Sequence, residues 1–153
     1  MIRVTKKLTD IESETINALW NEEYPLKLRG RFGILLNGIS RYNHHLLFSN
    51  EKIVAWAVDF DRENETWFSI IVDSKHKGSG YGKQLINSLK SSNDMLCGWV
   101  IDHDNDKKSN GDSYISPVPF YLKHDFRILN DVRLETEIIS AVKIKWDKQC
   151  FEI

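Results

Sequence analysis

Trp67–Leu89 reads WFSIIVDSKHKGSGYGKQLINSL. Ile70, Ile71 and Val72 form an apolar, β-branched run, and Leu85, Ile86 and Leu89 recur at the spacing of one helical stripe, so the segment predicts strand, turn and helix. Between them lie Gly78, Gly80 and Gly82, which let the backbone approach a ligand closely. The helix that follows presents unpaired N–H groups to the turn, and Lys75, Lys77 and Lys83 surround it with positive charge. That order of elements builds an anion site, and a phosphate-bearing cofactor is its natural guest.

Two familiar phosphate motifs fail on single positions. With Gly82 and Lys83 as the GK pair, a Walker A loop needs glycine where Lys77 stands and Ser or Thr where Gln84 stands. A dinucleotide GxGxxG fingerprint fails from Gly78, where the third glycine falls on Lys83, and from Gly80, where it falls on Leu85.

The wider sequence sets bounds. A chain of 153 residues fits one domain, taken here as 1–153. Charged residues make up 28% but cancel to a net −1, which argues against a protein that binds nucleic acid by neutralising phosphates. No signal-like segment opens MIRVTKKLTD and no apolar run reaches the roughly 18 residues of a membrane span, so the expected location is cytoplasmic. Cys97 and Cys150 are too few for a disulfide framework, and Cys97, set in an apolar run, reads as a core residue.

Along the chain, a strand is expected over Ile2 to Leu8, and a Thr9/Glu12 capping box opens a helix through about Glu23, where Pro25 stops it. Phe32, Leu35, Leu36 and Ile39 fall on one helical face and predict a second helix that Gly33 and Gly38 weaken. Strands at His45–Phe48 and Lys52–Phe60 flank an Asn50–Glu51 turn, and a second turn at Asp61–Asn64 leads into the strand beginning near Thr66. Met95–Ile101 is a further, mostly apolar strand. A helix near Val118–His124, a strand at Phe126–Leu129 and a last strand from about Ile138 to Trp146 complete the order.

Lys77, Gly80 and Gly82 form a pattern that resembles the acetyl-CoA loop of the GNAT family of N-acetyltransferases: Gln or Arg, two residues, Gly, one residue, then Gly or Ala. Lys77 keeps the cation of the first position and loses its planar fork. The whole succession of elements is similar to the GNAT fold too. It implies an α/β (α+β) protein with a mixed, mostly antiparallel sheet of six to seven strands flanked by about four helices. A second segment, Ser116–Phe126 (SPVPFYLKHDF), resembles the family's FYxKxGF, with Phe120, Tyr121, Lys123 and Phe126 matching and Asp125 in place of glycine. Asp tolerates the left-handed conformation of a helix C-cap better than most residues.

The resemblance implies transfer of an acetyl group from acetyl-CoA to a primary amine by direct attack in a ternary complex. Lys77, Gly78, Ser79, Gly80, Tyr81, Gly82 and Lys83 would hold the pyrophosphate, with Gln84 close by. The backbone of Ile70, Ile71 and Val72 would receive the pantetheine arm and the oxyanion, and Tyr121 by position would protonate the departing thiolate. For the base, Glu65, Asp59, Asp102 and His103 are candidates, and Asp102 or His103 has the best expected position.

The acceptor is a small-molecule or protein amine. Trp20, Tyr24, Phe32 and Tyr42 would line its pocket or pack the core. No nucleic-acid or membrane partner is expected, and a homodimer is an option by analogy. Alternatives are another acyl-CoA, or a CoA-binding regulatory module without efficient turnover. Metal is not expected. Asp102–Ser113 (DHDNDKKSNGDS) alternates aspartates like a calcium loop, but its sixth and twelfth positions are Lys107 and Ser113. His44 and His45, adjacent on a strand, face opposite sides and do not chelate together.

Overall fold

The computed structural model describes residues 1–148, so Cys150 lies outside the described residues. Its first helix begins where the sequence supplies a cap. Glu12 N–H donates to the Thr9 hydroxyl at 3.1 Å and Thr9 N–H donates to the Glu12 carboxylate at 2.9 Å, closing the capping box at the head of α1 (Asp10–Glu23). The strand before it, β1 (Ile2–Thr5), ends earlier than expected.

Two tight turns then build a hairpin series from β2 (Tyr42–Ser49), β3 (Lys52–Arg62) and β4 (Glu65–Val72). Both central residues of each turn have positive φ, 50° and 65° at Asn50 and Glu51, 51° and 65° at Glu63 and Asn64. That conformation matches the right-handed twist of paired strands, so the three strands stay in register without long loops. After β4 come α2 (Tyr81–Ser91), β5 (Met95–Val100), α3 (Val118–Lys123), β6 (Arg127–Glu135) and β7 (Ser140–Asp147).

The strands form one seven-stranded sheet in the order β1-β2-β3-β4-β5-β7-β6. All neighbours are antiparallel except β4 and β5, which run parallel and pair only at Trp67 and Cys97. Beyond that pair the two strands part. Strand alternation divides the core into two layers. On one face Phe68 packs with Leu85, Ile86 and Leu89 of α2. On the other, Trp56, Trp67 and Ile71 pack with Ile16, Leu19 and Trp20 of α1.

The expected second helix over Phe32–Ile39 is absent as an α-helix. Two single turns of 3-10 helix, Leu26–Leu28 and Phe32–Ile34, take its place, leaving three α-helices among the described residues rather than the expected four. The apolar face is real, since Phe32, Leu35, Leu36 and Ile39 all pack on the α1-side core. The segment is closed instead by bonds three residues apart, Leu35 N–H to Phe32 O and Asn37 N–H to Ile34 O, both at 3.2 Å, and Gly38 at φ 75° ends it. β6 is also longer than expected, because a bulge between Leu129 and Arg133 absorbs the irregular centre and pairing resumes through Glu135.

His44 and His45 do face opposite sides, and each is buried and hydrogen-bonded. His44 Nδ1 accepts from Trp56 Nε1 at 3.0 Å, whereas His45 bridges Ser88 at 2.7 Å and Asp59 at 2.6 Å. Burial lowers the His44 pKa to about 4, with the neighbouring His45 adding to the effect. The unfolded chain therefore takes up this proton first on acidification. The associated stability is complete above the unfolded value near 6.5 and is lost as pH falls from there toward 4, by up to about 3 kcal/mol. Denaturant titrations at pH 7 and pH 4.5 are expected to show this loss, and His44→Gln, which keeps an acceptor for Trp56, is expected to reduce it. No helix among the described residues is long and apolar enough to cross a membrane.

Candidate active site

The glycine turn is ordered by its own polar groups. Asp73 accepts the Lys75 N–H at 3.0 Å and starts a 3-10 turn, Ser74–His76, which delivers the chain to Lys77. Gly80 then occupies the N-cap of α2 at φ 78°, a left-handed conformation that residues with a β-carbon rarely take. No side chain caps this helix, and its first helical bond runs from Gln84 N–H to the Gly80 carbonyl. The amides of Tyr81, Gly82 and Lys83 are thus left for an external acceptor.

Gly82 answers a different demand. A β-carbon there would stand 3.1 Å from Phe120 Cζ, so the glycine is what allows α3 to lie against the first turn of α2. The two sequence segments singled out at 77–83 and 116–126 therefore touch in the fold. Asp125 does what the expected glycine would do: at φ 70° it ends α3 in a Schellman motif, with Phe126 N–H donating to Tyr121 O at 3.1 Å and Asp125 N–H donating to Leu122 O at 3.3 Å. The accompanying apolar contact is Tyr121 on Phe126, ring centroids 5.4 Å apart.

A cavity of about 1160 Å³ opens where β4 and β5 part. One end is the glycine turn with Lys77, Lys83, Phe120, Lys123 and His124, the middle is Tyr121 with Ser69, Ile70 and Val72, and the other end lies under α1 and the 3-10 turns. Asp73 N–H donates to Val54 O of β3, so by alternation Ile71 turns its backbone to β3 while Ile70 and Val72 turn theirs to the open edge. Tyr24 confirms the direction, its hydroxyl donating to the Ile70 carbonyl at 3.1 Å. Gly98, across the gap on β5, leaves room for the Phe68 ring; a β-carbon there would meet Phe68 Cε1 at 2.9 Å.

Tyr121 is nearly fully buried, and burial, reinforced by Tyr114, pushes its phenol far above the ordinary range. Tyr24 and Tyr114 are raised as well, burial again coming first. All three phenols line the cavity and are protonated donors at neutral pH. Trp20 lines it too, with Nε1 tied to Leu28 O at 2.8 Å, while Phe32 and Tyr42 stay outside the lining and pack in the α1-side core.

The carboxylates considered as bases sit elsewhere. Asp102 is gripped by both terminal nitrogens of Arg133, at 2.9 and 3.0 Å, which holds its pKa below the ordinary carboxylate value. His103 accepts the Asn105 N–H at 3.1 Å, and neither residue lines the cavity. Asp59 is sealed in the core between His45 and Arg41. Glu65 is pulled down to about 2 by Lys143, at 2.6 Å, and Lys145. Cys97 beside it is pushed up to about 11 by burial and then by Glu65, an inert thiol.

The polar loop after β5 is folded back by its own turn, Lys108 N–H donating to Asp112 O at 2.8 Å and Gly111 N–H to Lys108 O at 3.0 Å. Leu26 N–H donates to Lys107 O at 2.7 Å, docking the loop on the end of α1 and turning Tyr114 into the cavity. Sequence reasoning passed over Tyr114, although it is the one aromatic residue in that polar stretch. It passed over Glu23, Arg31, Arg62 and Trp99 of the lining as well, which carry no local signature.

The order and packing of these elements recur in solved structures. An aminoglycoside 6'-N-acetyltransferase complexed with coenzyme A aligns over 100% of this chain and 99% of its own, with a TM-score of 0.71 at 11% identity. A protein of the GNAT family from Bacteroides thetaiotaomicron covers 97% of this chain and 88% of its own, with a TM-score of 0.59 at 12% identity. The chain has the GNAT fold.

A third structure with this GNAT fold is the ribosomal-protein-S18-alanine N-acetyltransferase of Escherichia coli, which aligns over 99% of this chain and 97% of its own at 18% identity, TM-score 0.62. No protein-family model and no curated protein matches the chain. The GNAT likeness is therefore carried by three-dimensional arrangement.

Proposed function

We propose that this protein is an acetyl-CoA-dependent N-acetyltransferase acting on a primary amine by direct attack. One observation carries the reading: the sheet opens between β4 and β5 after the single Trp67–Cys97 pair, and the opening joins the uncapped start of α2 to Tyr121 in one cavity. Unpaired strand backbone at an interior position of a sheet is costly unless a ligand satisfies it. The amide-bearing pantetheine arm of CoA supplies strand-like partners for Ile70 and Val72, while its pyrophosphate meets the amides of Tyr81, Gly82 and Lys83 and the charges of Lys77 and Lys83.

In the reaction the amine nitrogen attacks the thioester carbonyl, the carbon–nitrogen bond forms and the carbon–sulfur bond breaks. A backbone N–H on the open edge of β4 stabilises the oxyanion. Tyr121, held protonated, gives its proton to the thiolate and is reprotonated from solvent, where the nitrogen's surplus proton goes. Asp102 and His103 are given no part as base, since neither reaches the cavity; water leads the proton out. Asp125 forms the helix cap that glycine would form, so this departure from the family pattern does not favour a module without turnover.

The test is thiol release. Acetyl-CoA mixed with the protein and a broad panel of primary amines is expected to give free CoA with at least one amine at a rate dependent on its concentration. Saturable CoA binding without thiol release from any amine would replace the enzyme reading by that of a CoA-binding module.

A further inference from the structure

The acceptor end of the cavity has a charge pattern that selects among amines, and the following rests on the acyltransferase reading. Glu23 is the one carboxylate among the described lining residues. Both its oxygens are engaged, Oε1 by Lys108 Nζ at 3.1 Å and Oε2 by the Ser74 N–H at 2.8 Å, and the side chain is buried. Arg31 and Arg62 line the same cavity, and among the described residues neither forms an ion pair with a carboxylate. Arg62 lies over the Phe60 ring at 5.0 Å, which places it on the α1 face of the sheet.

The lysines at the other end are matched by the cofactor's phosphates, but these two guanidiniums are not. The same cavity has an apolar lining that includes Leu28, Ile34, Leu35, Trp99, Leu134 and Ile138. A polycationic amine would meet two guanidiniums outside any ion pair and no available carboxylate in the lining, an unfavourable arrangement. An amine that carries its own anionic group would neutralise them through charge-assisted hydrogen bonds, in which the guanidinium fork fits a carboxylate closely.

We infer that the acceptor is a primary amine bearing a carboxylate and an apolar body, of the chemical class of a hydrophobic α-amino acid, with Arg31 and Arg62 as the cations that hold the carboxylate. The test compares L-leucine and L-phenylalanine with leucinamide, phenethylamine and spermidine by thiol release. The carboxylate-bearing amines are expected to have the higher kcat/KM, by tenfold or more over their amides. Arg31→Gln and Arg62→Gln are each expected to cut that preference at least tenfold, chiefly through KM for the carboxylate substrate, and a variant lacking native circular dichroism is replaced by the corresponding Lys substitution. Equal or better use of spermidine or the amides, an unchanged preference in both variants, or CoA binding with no turnover of either amino acid overturns the inference. Use of spermidine equal to or better than that of the amino acids overturns it while leaving the acyltransferase reading intact; absence of CoA binding removes that reading and the inference together.

Discussion

Tyr121→Phe is expected to lower kcat for acetyl transfer by about 100-fold, the range of a positioned general acid, while leaving CoA affinity within twofold. The substitution removes one oxygen and keeps the ring that packs on Phe68 and Phe126, at centroid distances of 5.7 and 5.4 Å, so the Schellman turn and the buried cluster remain. Because burial holds the phenol far above its ordinary range, no acid-side or neutral limb of the wild-type pH profile arises from its deprotonation. The variant should therefore lose rate by a constant factor across pH 6–9. An unchanged kcat across that range removes the general-acid role and leaves Tyr121 as a packing residue.

Gly82→Val is expected to raise the dissociation constant of CoA by tenfold or more, equivalent to about 1.4 kcal/mol. Two effects add. The new β-carbon would stand 3.1 Å from Phe120, pushing α3 off the first turn of α2, and the branched side chain would crowd the amides that face the phosphates. The change sits at the rim of the sheet opening and touches neither layer of the hydrophobic core in its centre, so the far-ultraviolet spectrum should be retained. Calorimetry reads the affinity, and an unchanged constant would contradict the assignment of this turn to the cofactor.

Most of the fold was legible because its signals are local. The capping box at Thr9, the turn at Asn50–Glu51, a second turn expected over Asp61–Asn64 and found at Glu63–Asn64 because β3 runs on through Arg62, the stripe of Leu85, Ile86 and Leu89, and the strand-turn-helix order at 67–89 each depend on neighbours in sequence. The helix expected over Phe32–Ile39 failed for an instructive reason. Its apolar spacing described what the segment buries, whereas the backbone that does the burying is a run of tight turns ended at Gly38. β6 was cut short because Arg133–Glu135 lies at a sheet edge with little apolar alternation to announce it.

The site divides in the same way. The glycine-turn end of the cavity is formed largely by one continuous stretch of chain, so the strand-turn-helix order that shapes it could be read from neighbours in sequence, and Asp125 could be judged from the conformational tolerance of its side chain. The opposite end of the cavity is assembled from α1, the 3-10 turns, β3, β5, the polar loop and the last hairpin, whose meeting depends on tertiary packing. Asp102 shows the limit well: following a central strand, it had a favourable expected position, but Arg133, 31 residues away, takes both its oxygens. Glu23 shows it from the other side, an acidic residue at a helix end that Lys108 turns into part of a neutral wall.

Acetyl transfer by this protein depends on coenzyme A entering the opening between β4 and β5. Isothermal titration of the protein with CoA tests it most directly, with Gly82→Val run beside it. Saturable one-to-one binding in the micromolar range, weakened at least tenfold in the variant, is the predicted result; no saturable heat with CoA or acetyl-CoA at millimolar concentration would contradict it.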